Sequence, residues 1–476
     1  MSQTWTPKPG DRVVRHPRAR QLDPVRIRIP TRRTQPSVLA SPLILTYGFA
    51  ALISLGTLLL LLPFAHHGSG FTSFVDALFT ATSAATVTGL VTQDTATYWN
   101  AFGKATILLL MFTGGLGFMT IATFLLVVIG QRAPVAQRHL ARDTLRSDQL
   151  GSMASLTARI VLVSSGIQLV GLAALAVRFS FMYSPAEAIW QAAFHAVSAF
   201  NSAGFVITPE SSSLSVFRTD RVVLTIMGAL IVMGTVGYWV LADIVRSRKL
   251  SLFTLNTKLV IIATLALIAL GALVFFVSER QNTETLGPIS SINQIFVSVF
   301  ESISGRTAGF STVGFGETEQ HTNFFFTSLM FIGGASASVA GGIKINTLAV
   351  VIVAVISTIR GVGHSSAFGR EIPQAQVQRA VSITSVALAA VFLSALILIL
   401  SEGDFLFIDL LFESVSAFST VGLSTGLTPN LSDWGHVILI ASMFIGRIGP
   451  TTLGLVMIMR TSGDVYRFAQ ERVTIG

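Results

Sequence analysis

Eight runs of about 20 apolar residues divide this 476-residue chain. They lie near 39–63, 101–129, 156–180, 221–245, 257–278, 323–357, 378–401 and 436–459. A run of that length crosses the hydrocarbon core of a bilayer as a helix, because lipid offers no partner to an unpaired backbone N–H or C=O. Composition agrees. Charged residues make up 12% of the chain and hydrophobic residues 51%, against about 25% charged residues in an ordinary globular domain. Mean hydropathy is +0.69. There is no cysteine, which excludes disulfides, thiolate metal sites and cysteine nucleophiles.

The connections between the runs alternate in charge. One set is basic: Arg132, Arg138, Arg142 and Arg146; then Arg246, Arg248, Lys249 and Lys258; then Arg360, Arg370 and Arg379; then Arg460, Arg467 and Arg472. If every run crosses once, all of these fall on one side, together with the basic tail of residues 1–37. The positive-inside rule places that side, and both termini, in the cytoplasm. No cleavable signal peptide is expected, since the polar, Arg- and Pro-rich beginning leads into a run long enough to be retained as a span. The tail reads as disordered. A basic tail also suits a nucleic-acid arm, but juxtamembrane basic segments are ordinary topology signals that touch anionic lipid, so no nucleic-acid partner is expected.

The other connections carry acids, including Asp94, Glu187, Asp220, Glu284, Glu319, Asp404 and Asp433. Each also holds an apolar segment of about 12 residues, too short to span, that ends at a glycine turn. These segments run from Phe74 to Leu90, Ala188 to Phe205, Gln294 to Phe315 and Leu406 to Leu423, and share the pattern FxAxSAxxxxG or a close variant. Their glycines, Gly89, Gly204, Gly309 and Gly422, are 115, 105 and 113 residues apart. An internal repeat this regular predicts an all-α membrane protein. It consists of four tandem repeats of span, re-entrant pore helix, filter loop and span around a pseudo-fourfold axis, with eight transmembrane helices and four pore helices. The repeats divide at 38–130, 131–250, 251–360 and 361–476.

Four loops around one axis make a ring. Candidate filter residues are Val87, Thr88 and Gly89; Ser202, Ala203 and Gly204; Thr307, Ala308 and Gly309; and Thr420, Val421 and Gly422. None is a carboxylate, so an ion held here would be held by backbone carbonyls that replace its hydration shell. Glycine permits a positive φ, which turns a carbonyl without a Cβ clash. The pore-helix C-termini carry partial negative charge, which favours a cation.

At these residues the chain resembles the Trk/Ktr/HKT superfamily of potassium transporters, most closely the membrane subunit of Ktr-type systems. The strings TATSAATVTGL, FHAVSAFNSAGF, SGRTAGFSTVGF, GGASASVAGGIK, FESVSAFSTVGL and FIGRIGPTTLG carry the likeness, over roughly residues 39–476. HKT variants with serine at the first loop glycine, which favour sodium, do not match, because that position is Gly89. The resemblance implies potassium as substrate and sodium as a coupling or activating ion, with a Trk-like proton- or sodium-coupled potassium transporter as the alternative. It also implies a homodimer with one pore per subunit, and a cytosolic nucleotide-binding regulatory ring. No covalent cofactor is expected.

The sixth run is interrupted by Gly333, Gly334, Ser336, Ser338, Gly341, Gly342 and Lys344. Small residues here suit either close helix packing or a flexible loop beneath the filter, and the resemblance favours a gate. The stretch is not a phosphate-binding P-loop, since Lys344 follows Gly342 by two residues and no strand precedes it. Arg447 lies inside the eighth run, where an unpaired guanidinium is costly. It is expected to hydrogen-bond carbonyls of the broken sixth run, to place a positive barrier under the filter, or both. Arg306, beside the third loop, is expected to point away and cap helix-end carbonyls. Glu301 and Glu413 are expected to pair with Arg306 or to hold the loops through backbone N–H groups. His195 reads as a packing or hydrogen-bonding residue. An enzyme is not expected, because no run carries a carboxylate–histidine or metal-ligand cluster. A scaffold would not need four matched loops.

Overall fold

The computed structural model describes residues 43–68, 70–131, 153–208 and 213–459. The basic tail, the connection holding Arg132 to Arg146, Glu210 and the C-terminal arginines lie outside the described residues. Within them the chain forms fourteen α-helices and one small hairpin.

Grouped by the four repeated sequence segments, the first holds α1 (Leu43–Leu60), α2 (Phe74–Thr86) and α3 (Ala101–Gln131). The second holds α4 (Met153–Phe179), α5 (Pro185–Asn201), α6 (Arg221–Val236) and α7 (Tyr238–Ser247). The third holds α8 (Leu255–Glu279), α9 (Ser291–Ser304), α10 (Gln320–Met330) and α11 (Ile345–Ile359). The fourth holds α12 (Gln374–Ser401), α13 (Phe407–Ser419) and α14 (Asp433–Met459). Between α11 and α12, strands β1 (Ser365–Ala367) and β2 (Arg370–Ile372) pair antiparallel about a turn at Phe368 and Gly369.

Two populations of helix follow from length and pattern. Among the described residues four helices are long and apolar enough to cross a membrane, α3, α4, α8 and α12, with the bent pair α6 and α7 a fifth if it counts as one span. The apolar windows of α4, α8 and α12 are only 28%, 22% and 28% buried within the chain. Their outward leucines and phenylalanines, such as Leu162, Leu265, Leu388 and Phe392, stay exposed. A continuous exposed apolar belt is unfavourable in water and favourable against acyl chains. The short helices α2, α5, α9 and α13 have 13, 17, 14 and 13 residues. At ~1.5 Å per residue they fall short of a ~30 Å hydrocarbon core. Unlike α4, α8 and α12, each has half or more of its residues buried. Acids in the first turn (Asp76, Glu187, Asp409) and Pro185 at the start of α5 suit helix N-termini.

The sequence pattern predicts one uninterrupted helix over 221–245. The chain instead bends by 96° between α6 and α7. Gly237 makes the turn with φ +81°, and a side chain there would press on Ser338. The break frees carbonyls at the end of α6, which need new partners. Val339 N–H donates to the Gly234 carbonyl (3.4 Å) and Ala335 N–H to the Thr235 carbonyl (2.8 Å). The bend in the second repeat and the break in the third therefore satisfy each other.

Polar staples tie the two flanking helices of each repeat at one end. Asn100 Nδ2 donates to the Phe64 carbonyl at 2.7 Å. Arg178 pairs with Asp220 at 2.8 Å, and Asp220 also caps α6 by accepting from Val222 and Val223 N–H. Glu279 is fully buried and accepts from Asn282 Nδ2, Thr285 Oγ1, Glu319 N–H and Thr322 Oγ1 at 2.5–3.0 Å. Glu402 accepts from Ser432 Oγ and N–H.

Packing closes the repeats on one another. Phe79 of α2 meets His436 of α14 edge-on at 5.4 Å, which joins the first repeat to the fourth. Phe315 packs on Phe412 at 5.5 Å, which joins the third to the fourth. Phe194, Ala203 and Phe205 share a core with Ala84 and Val87, joining the second to the first. Phe200 and Met227 share another with Val297 and Phe300, joining the second to the third.

Removing the Glu279 carboxylate strands four donors, and each buried unsatisfied group costs about 1–3 kcal/mol. Water recovers part of that loss. Glu279→Ala should therefore destabilise the purified protein by about 2–4 kcal/mol, read as a lower thermal-unfolding midpoint in detergent. An unchanged midpoint would show that the staple carries no stability.

Candidate functional site

The C-terminal ends of α2, α5, α9 and α13 converge, and their four loop glycines touch in cyclic order. A Cβ on Gly89 would lie 2.5 Å from the Ala203 carbonyl oxygen and 2.9 Å from the Gly204 Cα. On Gly204 it would lie 2.8 Å from the Ala308 oxygen. On Gly309 it would run into the Val421 oxygen, and on Gly422 into the Thr88 oxygen. The series 89–204–309–422–89 returns to its start. The glycines have φ of +95°, +73°, +74° and +96°, values that L side chains resist. The carbonyls of Thr88, Ala203, Ala308 and Val421, one from each loop, therefore each lie against the glycine of a neighbouring loop.

Three of the four loops leave their helix in the same way. Thr88 N–H donates to the Ser83 carbonyl and Val87 N–H to that of Ala84; the same pair of bonds recurs at Ala203 and Ser202, and at Val421 and Thr420. This is a Schellman end, in which the residue after the helix takes a left-handed conformation. Here that residue is Val87 (φ 52°), Ser202 (φ 57°) or Thr420 (φ 49°) rather than glycine. A non-glycine residue so placed costs roughly 1–3 kcal/mol, and such strain gathers at functional sites. The third loop differs because it is one residue shorter. Ser304 precedes Gly309 by five positions, whereas Ser83, Ser198 and Ser416 precede their glycines by six. Thr307 and Ala308 N–H both donate to the Ser304 carbonyl instead.

Those four serines, the S of the repeated pattern, brace the loops. Ser83 Oγ accepts from Gly89 N–H at 3.0 Å and Ser416 Oγ from Gly422 N–H at 3.1 Å. Ser198 Oγ donates to the Phe205 carbonyl at 2.9 Å and Ser304 Oγ to that of Phe310 at 2.5 Å. Leu90, Phe205, Phe310 and Leu423, which follow the glycines, are buried.

A second repeated position lies one turn earlier, occupied by Thr80, His195, Glu301 and Glu413. Glu301 accepts from Thr312 N–H (2.7 Å), Thr312 Oγ1 (2.8 Å) and Ser311 Oγ (3.0 Å). Glu413 accepts from Ser424 Oγ (2.5 Å), Thr428 Oγ1 (2.7 Å) and Thr425 N–H (3.1 Å). Both carboxylates thus hold the segment that leaves the ring, and neither pairs with Arg306. His195 bonds the Gln191 carbonyl through Nδ1 at 2.8 Å and meets Thr208 Oγ1 through Nε2 at 3.4 Å. Thr80 Oγ1 has no partner among the described residues. Arg306 does not cap the helix end: its buried Nε and Nη1 meet no acceptor among the described residues. The Thr307 and Ala308 N–H groups already occupy the Ser304 carbonyl.

On the pore-helix side of the ring, buried oxygens of Asn201, Ser202, Thr307, Ser419 and Thr420 lack a partner among the described residues. Neutral carbonyl and hydroxyl oxygens of this kind suit a desolvated monovalent cation. The same side is occupied by residues 331–344. The neck of this segment is closed by Gly333 N–H to the Ile343 carbonyl (2.7 Å) and Ile345 N–H to that of Gly334 (3.0 Å). Its far end lies under the fourth loop, where a Cβ on Gly341 would collide with Thr420 Oγ1 and one on Gly342 would lie 3.3 Å from Ser419. Ser338 is buried, with Oγ accepting from Ala340 N–H at 3.3 Å. Ser336 is exposed, and its N–H donates to Asn346 Oδ1 at 2.9 Å. Lys344 Nζ donates to the Ala340 carbonyl. Arg447 donates through Nη1 to the Val339 carbonyl and through Nη2 to that of Gly114 at 3.3 Å.

A third repeated position explains Arg447. In the later span of each repeat, Gly114, Gly234 and Gly446 lie so close to the Ala85, Phe200 and Phe418 carbonyls that no Cβ fits. Gly333 holds the matching place in the third. The next residue is Gly115, Thr235, Gly334 or Arg447. The first three are small, and the fourth sends a guanidinium into the shared space.

A family profile described as "TrkH: Cation transport protein" matches residues 28–466. The chain belongs to the TrkH family of cation transport proteins. It is 38% identical over 411 residues to Ktr system potassium uptake protein B of Bacillus subtilis, covering 86% of this chain and 91% of that one. It is 34% identical over 437 residues to the potassium/sodium uptake protein NtpJ of Enterococcus hirae, covering 90% and 96%. The crystal structure of the potassium transporter TrkH from Vibrio parahaemolyticus superposes with a TM-score of 0.70 at 18% identity, covering 90% of this chain and 86% of that one. A TrkH-family chain is a transporter rather than an enzyme.

Within this TrkH-family ring, Glu413→Ala strands Thr425 N–H and two hydroxyls, at about 1–3 kcal/mol for each buried donor. Initial rates of rubidium uptake should fall at least about tenfold, since 1.4 kcal/mol is a factor of ten, with the protein still present in the membrane. Glu413→Gln keeps an acceptor and should retain most of the rate. Equal loss in both variants would show that the charge, not the acceptor, is what counts.

Proposed function

We propose that this chain takes up potassium across the cytoplasmic membrane, as the ion-translocating subunit of a Ktr-type system. The observation that carries the reading is the closed ring of four glycines, with one backbone carbonyl from each repeat set against the next. A ring of neutral oxygens without a carboxylate discriminates by replacing the hydration shell of a monovalent ion. Relatives named as potassium uptake proteins, at 34–38% identity over most of the chain, favour potassium. The filter residues are Val87, Thr88, Gly89, Ser202, Ala203, Gly204, Thr307, Ala308, Gly309, Thr420, Val421 and Gly422. Residues 331–344 act as a gate beneath them, held shut through Val339 by Arg447 and through Ala340 by Lys344.

The remaining assignments rest on the sequence pattern and on the resemblance. The four repeats divide at 38–130, 131–250, 251–360 and 361–476. Both termini and the basic connections face the cytoplasm, where a basic tail such as residues 1–37 can touch anionic lipid. The subunit works as a homodimer with a cytosolic nucleotide-binding ring. Sodium acts as coupling or activating ion. A second reading, in which sodium is itself carried, is favoured by the likeness to a protein named for potassium and sodium uptake.

The test is growth of a potassium-uptake-deficient bacterium on low potassium, with the regulatory partner supplied, together with rubidium uptake. The intact chain should rescue growth. Gly309→Ser places a side chain at φ +74° against the Val421 carbonyl; it should cut rubidium uptake by about tenfold or more, or raise sodium flux relative to rubidium. Absence of both rescue and rubidium uptake in the intact, partnered chain would overturn the reading.

A further inference from the structure

Phe118, on α3, is the largest buried group near the gate for which neither the ring nor the loop backbone accounts. It is fully buried. Its ring is set edge-on against Phe49 of α1, with centroids 6.1 Å apart and planes at 73°. Two cations face that one ring. The Arg447 guanidinium carbon lies 4.4 Å from the centroid, and Lys344 Nζ lies 5.4 Å from it. The same two cations donate to consecutive carbonyls of the gate segment, Arg447 to Val339 and Lys344 to Ala340. Among the described residues neither has a carboxylate partner, since the salt bridge found there is Arg178–Asp220.

Two like charges brought together in a low-dielectric interior repel. The carbonyls of Gly114, Val339 and Ala340 offset part of that repulsion. The remaining contact of both cations is the negative face of an aromatic ring, which attracts each of them. Lys344 stands at the start of α11 and Arg447 within α14, so one ring on α3 joins three repeats at the level of the gate.

From this geometry we infer that Phe118 is the positioning residue of the gate: its π face holds Lys344 and Arg447 together and so keeps residues 339 and 340 beneath the ring. This rests on reading residues 331–344 as a gate. Phe118 is not among the residues whose carbonyls form the ring. Weakening its π face changes how often the loop clears the path and leaves the affinity of the ring for ions as it was.

The experiment is rubidium flux into proteoliposomes holding the full chain with its partner, with Phe118 replaced by mono-, di- and trifluorophenylalanine. Fluorination withdraws charge from the ring face and leaves its shape nearly unchanged, so folding is preserved. Maximal flux should rise stepwise, to about three- to tenfold for the trifluoro ring, given a cation–π attraction of ordinary size for two cations. The rubidium concentration for half-maximal flux and the rubidium/sodium ratio should stay constant. Flux that does not change across the fluorinated series overturns the inference, as does a shift in half-saturation that tracks fluorination. Arg447→Gln in parallel separates the two levels. If it raises flux while the fluorinated series does not, the gate stands and the Phe118 assignment falls. If it leaves flux unchanged, the gate reading and the assignment fall together.

Discussion

The structure depends on one close approach: four glycine Cα positions that admit no side chain, each pressed by the carbonyl that precedes the next glycine. That contact sets demands in both directions. Away from the pore helices, the segments leaving the ring must be held at fixed positions, which the carboxylates of Glu301 and Glu413 and the imidazole of His195 accomplish from within α9, α13 and α5. Toward the pore helices, Val87, Ser202 and Thr420 accept left-handed backbone so that each helix can end abruptly at the ring. Further back, glycines in the later spans let those spans lie against the helix ends. A single wide side chain at any of these levels would hold the four loops apart.

The fourfold pattern is broken chiefly on the pore-helix side of the ring. The third loop is one residue short and lacks the left-handed turn. The later span of the third repeat opens into residues 331–344 between two short helices. The later span of the second repeat bends by 96° to receive it, exchanging its freed carbonyls for N–H groups of the loop. The fourth repeat places Arg447 where the others carry glycine or threonine. The last three of these departures, in the third, second and fourth repeats, meet at one level below the ring, and Phe118 of the first repeat completes that level.

Much of this is legible in the sequence because it is repeated. The four pore helices and their glycines appear as one motif, since each must present the same short apolar helix and the same positive φ to the axis. The serine of that motif was in plain view, but its bracing role appears only once the loop folds back on the helix. The position held by Thr80, His195, Glu301 and Glu413 is harder to see because only two of the four share a residue, and the segment each faces differs as well. The bend at Gly237 is hidden because hydropathy runs straight through it, and only the loop from another repeat gives the freed carbonyls their partners. Arg306 shows the limit of local reasoning: a basic residue at a helix end suggests capping, yet the backbone of Thr307 and Ala308 already uses the carbonyl.

The most direct test is to locate the ion. Crystals of the full chain grown with rubidium or thallium salts should give an anomalous-difference peak on the axis, ringed by the carbonyl oxygens of Thr88, Ala203, Ala308 and Val421. A well-ordered ring with no peak there, or with the peak instead beside the carboxylates of Glu301 or Glu413, would contradict a filter built from backbone carbonyls.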